Sequence, residues 1–493
     1  MTRYIVYLLI SCCYFFVACS EKGLSDDKNK NFTSKSEVSL NSMFQSDMVL
    51  QQLSDIPISG KGTPFQKIKI TCSWDKSAPG KEVRVNPDGT WKETIRTPAA
   101  GGPYTISFMG KAETVLSNVM IGEVWLCSGQ SNMQWTLFDS RNGPDEMKMA
   151  TNPNIRLLNV RDRVQSDNPV ENITAKWEVC SSTTAADFSA IGYFFANKLT
   201  TDLNIPIGII NVSWGNTPAE VWCKRELVYA DPVLSEDARK KEAAGSTEPF
   251  KAGNVYNAMI YPLRNFPIAG AIWYQGENNL DQPYHYAKLL KTMIEGWRED
   301  WRNQFPFYIA QICPYKRDWN FQTNYANPSM RFVQATVSET IPKSGVVVND
   351  DLADINNIHP LDKKDVGMRL AMLALSKTYK KENYKSKQSP VFKDFKVTNN
   401  KLTVNFKYAE EGLKTSDGLS PTQFEIAGSD RIFHPATAVI NGGTVELSSI
   451  HVPNPLDARM GWSYIKVSNL RKGDLPVSVF KTYTWEDPIE EPK

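Results

Sequence analysis

Between about residues 119 and 380, short apolar runs alternate with longer stretches of helical periodicity, and no other feature narrows the fold of this chain as much. The apolar runs lie at residues 207–212, 268–274, 307–312 and 345–348, and the helical stretches at 191–202, 284–301 and 363–376. Strands joined through helices run parallel and need both faces covered, so the expected fold class is α/β, a mostly parallel sheet covered by helices. On either side the period changes to two. Residues 38–118 hold runs such as Lys67-Ile-Lys-Ile-Thr-Cys72 and turns such as Asn86-Pro-Asp-Gly-Thr90, which read as an N-terminal β-sandwich-like domain. Residues 386–493 return to this character in Lys401-Leu-Thr-Val-Asn-Phe406 and Gly443-Thr-Val-Glu-Leu447. An α/β domain over 119–385, with a C-terminal β domain packed on it, is therefore expected.

The first residues are a targeting segment rather than part of the fold. Arg3 precedes an apolar run over residues 4–18, too short to span a bilayer. The run ends in Phe16-Val-Ala-Cys19-Ser20, which resembles a bacterial lipobox. This predicts a signal peptide over 1–18, a lipid on Cys19, and a flexible tether over 19–37. The chain is expected to be exported and anchored at the cell envelope, on its periplasmic or cell-surface side.

Lys and Arg number 56 against 54 Asp and Glu, with no dense basic cluster, which argues against a nucleic-acid partner. Outside the leader the cysteines are Cys72, Cys127, Cys180, Cys223 and Cys313, scattered and without a CxxC pair. Neither a disulfide framework nor a metal site follows from them, and no cofactor is expected. Thirteen Trp and nineteen Tyr suit core packing first and stacking on sugar rings second.

In open α/β sheets, ligands bind at the carboxyl ends of the strands. Four polar loops follow apolar runs, at residues 128–133, 213–220, 275–279 and 350–360. The first ends a strand-like run in Cys127-Ser-Gly-Gln-Ser131. A serine hydroxyl needs a base within hydrogen-bond reach and donors for an oxyanion. The Ser131 amide could be one donor, and that of Gly215 a second, since glycine lets backbone approach closely. Of four histidines, His359 alone follows a central strand and precedes a helix. Its ring needs an orienting acceptor; Asp354, Asn356 and Asn357 lie upstream on the same loop, with Asp350 and Asp351 nearer the strand end. In the third loop, Gln275, Glu277, Asn278 and Asn279 stand together. Amides there could serve an oxyanion, and Glu277 could orient His359 or brace the loop.

The blocks Gly129-Gln-Ser-Asn-Met133, Trp214-Gly-Asn-Thr-Pro-Ala-Glu220, Trp273-Tyr-Gln-Gly-Glu277 and Asn357-Ile-His-Pro360 resemble, in order, those of the sialate O-acetylesterase family within the SGNH hydrolases. The flanking domains join the resemblance through Asp47-Met-Val-Leu-Gln-Gln52, Ala100-Gly-Gly-Pro-Tyr104, Arg459-Met-Gly-Trp462 and Leu475-Pro476. It implies Ser131 as nucleophile and His359 as general base. The implied oxyanion donors are the amides of Ser131 and Gly215 with Gln275 or Asn278, and Gln130, Asn132 and Glu277 are implied supporting residues. Asn356 and Asn357 occupy the positions where related sequences carry an acid. This leaves Asp354, Glu277 or a Ser-His dyad with neutral acceptors as alternatives. Asn216 stands where the family usually has a second glycine. The implied activity is release of acetate from an O-acetylated carbohydrate, most directly sialic acid, without a metal. The alternatives are an esterase for acetylated xylan, pectin or another plant glycan, and an inactive carbohydrate-binding protein.

Overall fold

The computed structural model describes residues 38–76, 79–243, 251–316 and 324–489; the expected signal peptide, Cys19 and the tether lie outside them. The strands that position the site are β1 (Glu113–Gly129), β2 (Asn152–Asn159), β3 (Trp177–Cys180), β4 (Ile207–Ser213), β5 (Gly270–Tyr274), β6 (Phe307–Ala310) and β7 (Ser344–Val347). They lie in the order β3-β2-β4-β1-β5-β6-β7. Neighbours from β2 to β7 are parallel, and β3 is an antiparallel edge. The sheet is thus mixed, and the fold is α/β with additional β sheets on both sides. Every residue of β4 and β5 is buried, as a sheet covered on both faces requires.

The helices are α1 (Ser131–Gln134), α2 (Ala190–Leu203), α3 (Pro283–Trp301), α4 (Ala326–Thr340) and α5 (Lys363–Lys377). α2 packs on α5, and α3 on α4. Gly192 of α2 sits so close to β1 that a Cβ there would meet Cys127 Sγ at 2.9 Å. Trp273, in register with Ser128, meets Trp297 of α3 edge-on at 6.0 Å. Residues 127 and 128 point to opposite faces of a strand, so the two helix pairs cover opposite faces of the sheet. After β1 the chain builds β2, β3 and β4 on one side and then crosses to β5 on the other. The carboxyl end of β1 is therefore the switch point where a crevice opens.

β1, at 17 residues, is long enough to serve two sets of partners. Its first part pairs with Gly101–Met109, and Val49–Gln51 pairs with it at residues 120–122. Its last part is the centre of the main sheet. The expected boundary between residues 118 and 119 falls inside this continuous strand. One apolar core accordingly includes Ile58 and Trp91 from the N-terminal sheets together with Trp125, Ile210 and Trp273. The C-terminal strands have a separate core around Leu402, Val404, Ile426, Val445 and Phe480. Arg331 of α4, fully buried, docks that unit. It pairs with Asp350 at 2.7 Å and donates to the carbonyls of Gly461 (3.1 Å) and Ser463 (2.9 Å).

Among the described residues the cysteines are free, no group of His, Cys, Asp or Glu is arranged to hold a metal, and no helix is long and apolar enough to cross a membrane.

Candidate active site

The end of β1 explains why small residues precede Ser131. Gly129 has φ 137°, and a Cβ there would lie 2.1 Å from the carbonyl oxygen of Tyr274 on β5. With no side chain in the way, Gln130 N–H donates to that same oxygen at 3.0 Å and the chain turns directly into α1, of which Ser131 is the first residue. An amide in that position has no intrahelical acceptor. Gly215, at the end of β4, approaches so closely that a Cβ would stand 3.3 Å from Ser131 Cβ. Asn216 follows with φ 58°, the left-handed region that Asn tolerates, so the geometry usual for glycine there is retained.

His359 arrives on the loop after β7, which is an edge strand and not the central one expected, and its Nε2 lies 2.8 Å from Ser131 Oγ. Its ring stacks on Trp135 of the Ser131 turn, with centroids 4.9 Å apart, and its backbone N–H donates to Asn357 Oδ1 at 2.9 Å. Burial, and after it the charge of Lys363, holds the imidazole below its ordinary pKa, which favours the neutral base at pH 7.

The expected acid partners are engaged elsewhere. Asp354 Oδ1 accepts the backbone N–H of Asn356 at 3.0 Å, the local turn that Asp two residues before an amide readily forms. No hydrogen bond joins it to His359 among the described residues. Asp350 pairs with Arg331 and Asp351 with Arg369. Glu277 is buried, and its Oε1 accepts from Asn132 Nδ2 at 2.6 Å. Asn132 Nδ2 also lies 3.1 Å from the carbonyl of Ile358, which precedes His359, and Lys363 Nζ donates to Asn132 Oδ1. Burial pushes the Glu277 carboxyl up and the Lys363 ammonium down to about 8.

The candidate oxyanion donors separate into two groups. Gln275 is fully buried below the cleft: its Nε2 donates to Thr217 O and Asn279 Oδ1, and its Oε1 accepts from Tyr286. It braces the loops instead of facing the serine, because its amide is saturated by buried partners. Asn278 reaches the cleft, with Nδ2 on the carbonyl of Asn216 at 2.9 Å and its own N–H on Gln130 Oε1 at 3.3 Å. The Gly215 N–H is held by Gln134 Oε1 at 2.7 Å. Gln130, Asn278, Asn356 and Glu277 line an open cleft of about 320 Å³ beside the Ser-His pair. A larger cavity, about 630 Å³, lies at the amino ends of β6 and β7, away from this chemistry, and volume alone does not mark the site.

Trp135, Gln134 and Lys363 were not marked as site residues by sequence reasoning. One signal was present for Lys363: a lysine opening a helix opposes the macrodipole, which favours acids there. For the other two the sequence carries no signal, since contact with His359 and Gly215 arises only on folding.

A neutral imidazole in contact with a serine hydroxyl, beside amide donors and an open polar cleft, is suited to acyl transfer. Comparison with known proteins agrees. Residues 121–376 match the family described as "Carbohydrate esterase, sialic acid-specific acetylesterase". Sialate O-acetylesterase of Rattus norvegicus is 29% identical over 74% of this chain and 78% of its own length. That of Homo sapiens is 28% identical over 75% and 76%. The crystal structure of a carbohydrate acetylesterase from Xanthomonas citri superposes with a TM-score of 0.83 at 31% identity, covering 91% of this chain and 100% of that one. The chain is an ester hydrolase, a carbohydrate acetylesterase that belongs to the sialic acid-specific acetylesterase family.

Proposed function

We propose that the chain releases acetate from O-acetylated sialic acid through an acetyl-enzyme on Ser131. The observation that carries the chemistry is the 2.8 Å contact between Ser131 Oγ and His359 Nε2; the sialate label is supported by the family match and the sialate O-acetylesterases above. His359 Nε2 takes the hydroxyl proton as Oγ attacks the acetyl carbonyl. The Ser131 amide and Asn278 Nδ2 are donors for the resulting oxyanion, and the Gly215 amide joins them once Gln134 swings aside. His359 then protonates the departing sugar oxygen. Water, activated by the same nitrogen, attacks the acetyl-enzyme and frees acetate and Ser131.

The test is Ser131→Ala with p-nitrophenyl acetate. Turnover is expected to fall about a thousandfold or more, and a variant as fast as the parent would refute the assignment. Acetate release is then compared among O-acetylated sialic acid, acetylated xylan and acetylated pectin. Preference for a plant polymer would overturn the sialate label and leave the chemistry standing.

A further inference from the structure

Lys363 is 1% exposed and opens α5, so it carries an ammonium into a buried place at the end of a helix that repels cations. Its Nζ donates to Asn132 Oδ1 and lies 5.6 Å from the Trp135 ring and 5.8 Å from the Tyr274 ring. The titratable groups that face it are Cys313, Glu277 and Asp362, and each has another partner. Cys313 donates to Asn349 O, Asp362 caps α5 and pairs with Arg141, and Glu277 is bonded to the opposite end of the Asn132 amide.

Asn132 is thus held between a buried cation and a buried carboxyl, and it is the residue after Ser131. Through Nδ2 it also holds the carbonyl just before His359. The elements packed on the imidazole are the Ser131 turn, through Ser131 and Trp135, and its own loop, through Asn357. Neither brings a charge to it, and the charged group acting on the ring is Lys363 from α5. The Trp135 indole is shared, with His359 stacked on it and Lys363 Nζ beside it.

We propose that Lys363 is a positioning residue for the Ser-His pair, tying the nucleophile turn to the histidine loop through Asn132 and setting a buried charge beside the Trp135 ring on which His359 stacks. This rests on the reading of Ser131 and His359 as nucleophile and base. An orienting acid would stabilise the imidazolium; a cation does the reverse. His359 is then a weaker base for the attack and a stronger acid toward the departing sugar oxygen, and the base form persists into mildly acidic solution.

The experiment is the pH profile of kcat/KM for p-nitrophenyl acetate in the parent, Lys363→Gln, Lys363→Arg and Glu277→Gln. Glutamine at 363 keeps a donor for Asn132 and removes the charge. Its acidic limb is expected to move up by about half a pH unit or more, while Glu277→Gln, which leaves the Lys363 charge in place, keeps the limb of the parent. A purely structural role for Lys363 would lower the plateau and leave the limb where it was. A folded Lys363→Gln whose limb coincides with the parent's overturns the proposal; if that variant does not fold, a limb that moves up in Lys363→Arg, which keeps the charge, overturns it. Ser131→Ala run alongside separates the two readings. If it is inactive while the Lys363→Gln limb stays fixed, only the role of Lys363 falls; if it is fully active, the Ser131 reading falls and this one with it.

Discussion

Replacing Gly129 with alanine tests whether the turn before Ser131 is built on the absence of a side chain. The new Cβ would stand 2.1 Å from Tyr274 O, 2.8 Å from its carbonyl carbon and 3.0 Å from its nitrogen. Those are backbone atoms of the neighbouring central strand, and no rotamer change relieves a Cβ. The β1–β5 pair, in register at Gly129 and Tyr274, must part by roughly 1 Å to restore ordinary contact distance. The Gln130 N–H to Tyr274 O bond then stretches or breaks, at about 1 kcal/mol, and φ of 137° adds about 1–3 kcal/mol for a residue with a Cβ. A stability loss of roughly 2–4 kcal/mol follows. The rate should fall as well, because a 1 Å displacement of reacting groups costs on the order of a hundredfold, comparable in free energy to the stability loss. Gly418→Ala is the control, with φ of 72° and nothing within 4 Å of its Cβ, so it isolates backbone strain from collision. The assay is kcat for p-nitrophenyl acetate together with denaturant midpoints for both variants. Parental kcat in Gly129→Ala, with a stability loss no greater than that of Gly418→Ala, would refute the reasoning.

Arg331→Met should lower the guanidinium midpoint by an amount equal to about 3–5 kcal/mol, since it leaves Asp350 alone in a buried site. Asp350→Asn added to it should recover part of that loss, and a single-variant effect below about 1 kcal/mol would show that the docking does not depend on this pair. Gln134→Ala releases the Gly215 amide, and the loss of one competing hydrogen bond of about 1 kcal/mol should raise kcat about fivefold; a fall in kcat would mean that Gln134 assists the reaction instead of masking a donor.

Patterning reached the central strands and three helices because those segments bury whole faces, and burial writes apolar periodicity into a chain. It missed β2 and α4 because both bury polar side chains. β2 carries Asn, Pro and Arg among its apolar residues, and Arg156 is buried only because Asp47 and backbone carbonyls meet it from the N-terminal domain. α4 buries Asn327, Ser329, Arg331 and Gln334, so a helix that holds loops and a neighbouring domain by polar contacts looks like surface. The site divides in the same way. Ser131 follows the strand at the switch point and His359 the edge strand β7, and both could be found from order along the chain because each loop leaves the carboxyl end of a strand. Asp354 was a reasonable partner by proximity in sequence, yet its acceptor closes a local turn. Gln275 sits in the right loop with its amide turned into the interior. Distance along the chain ranks such candidates; the direction of a side chain is decided by packing from elsewhere.

The long first strand of the main sheet has a consequence for how such a protein can be inherited. Residues 113–129 belong to two sheets at once, and Ser131 follows two residues beyond their end. Exchange between relatives could swap the C-terminal unit, whose core is its own, by a crossover in the segment before residue 391. A crossover within 113–129 would have to satisfy the pairing partners on both sides together. The amino-terminal β unit and the turn that carries Ser131 would therefore be expected to be exchanged together, as a single block.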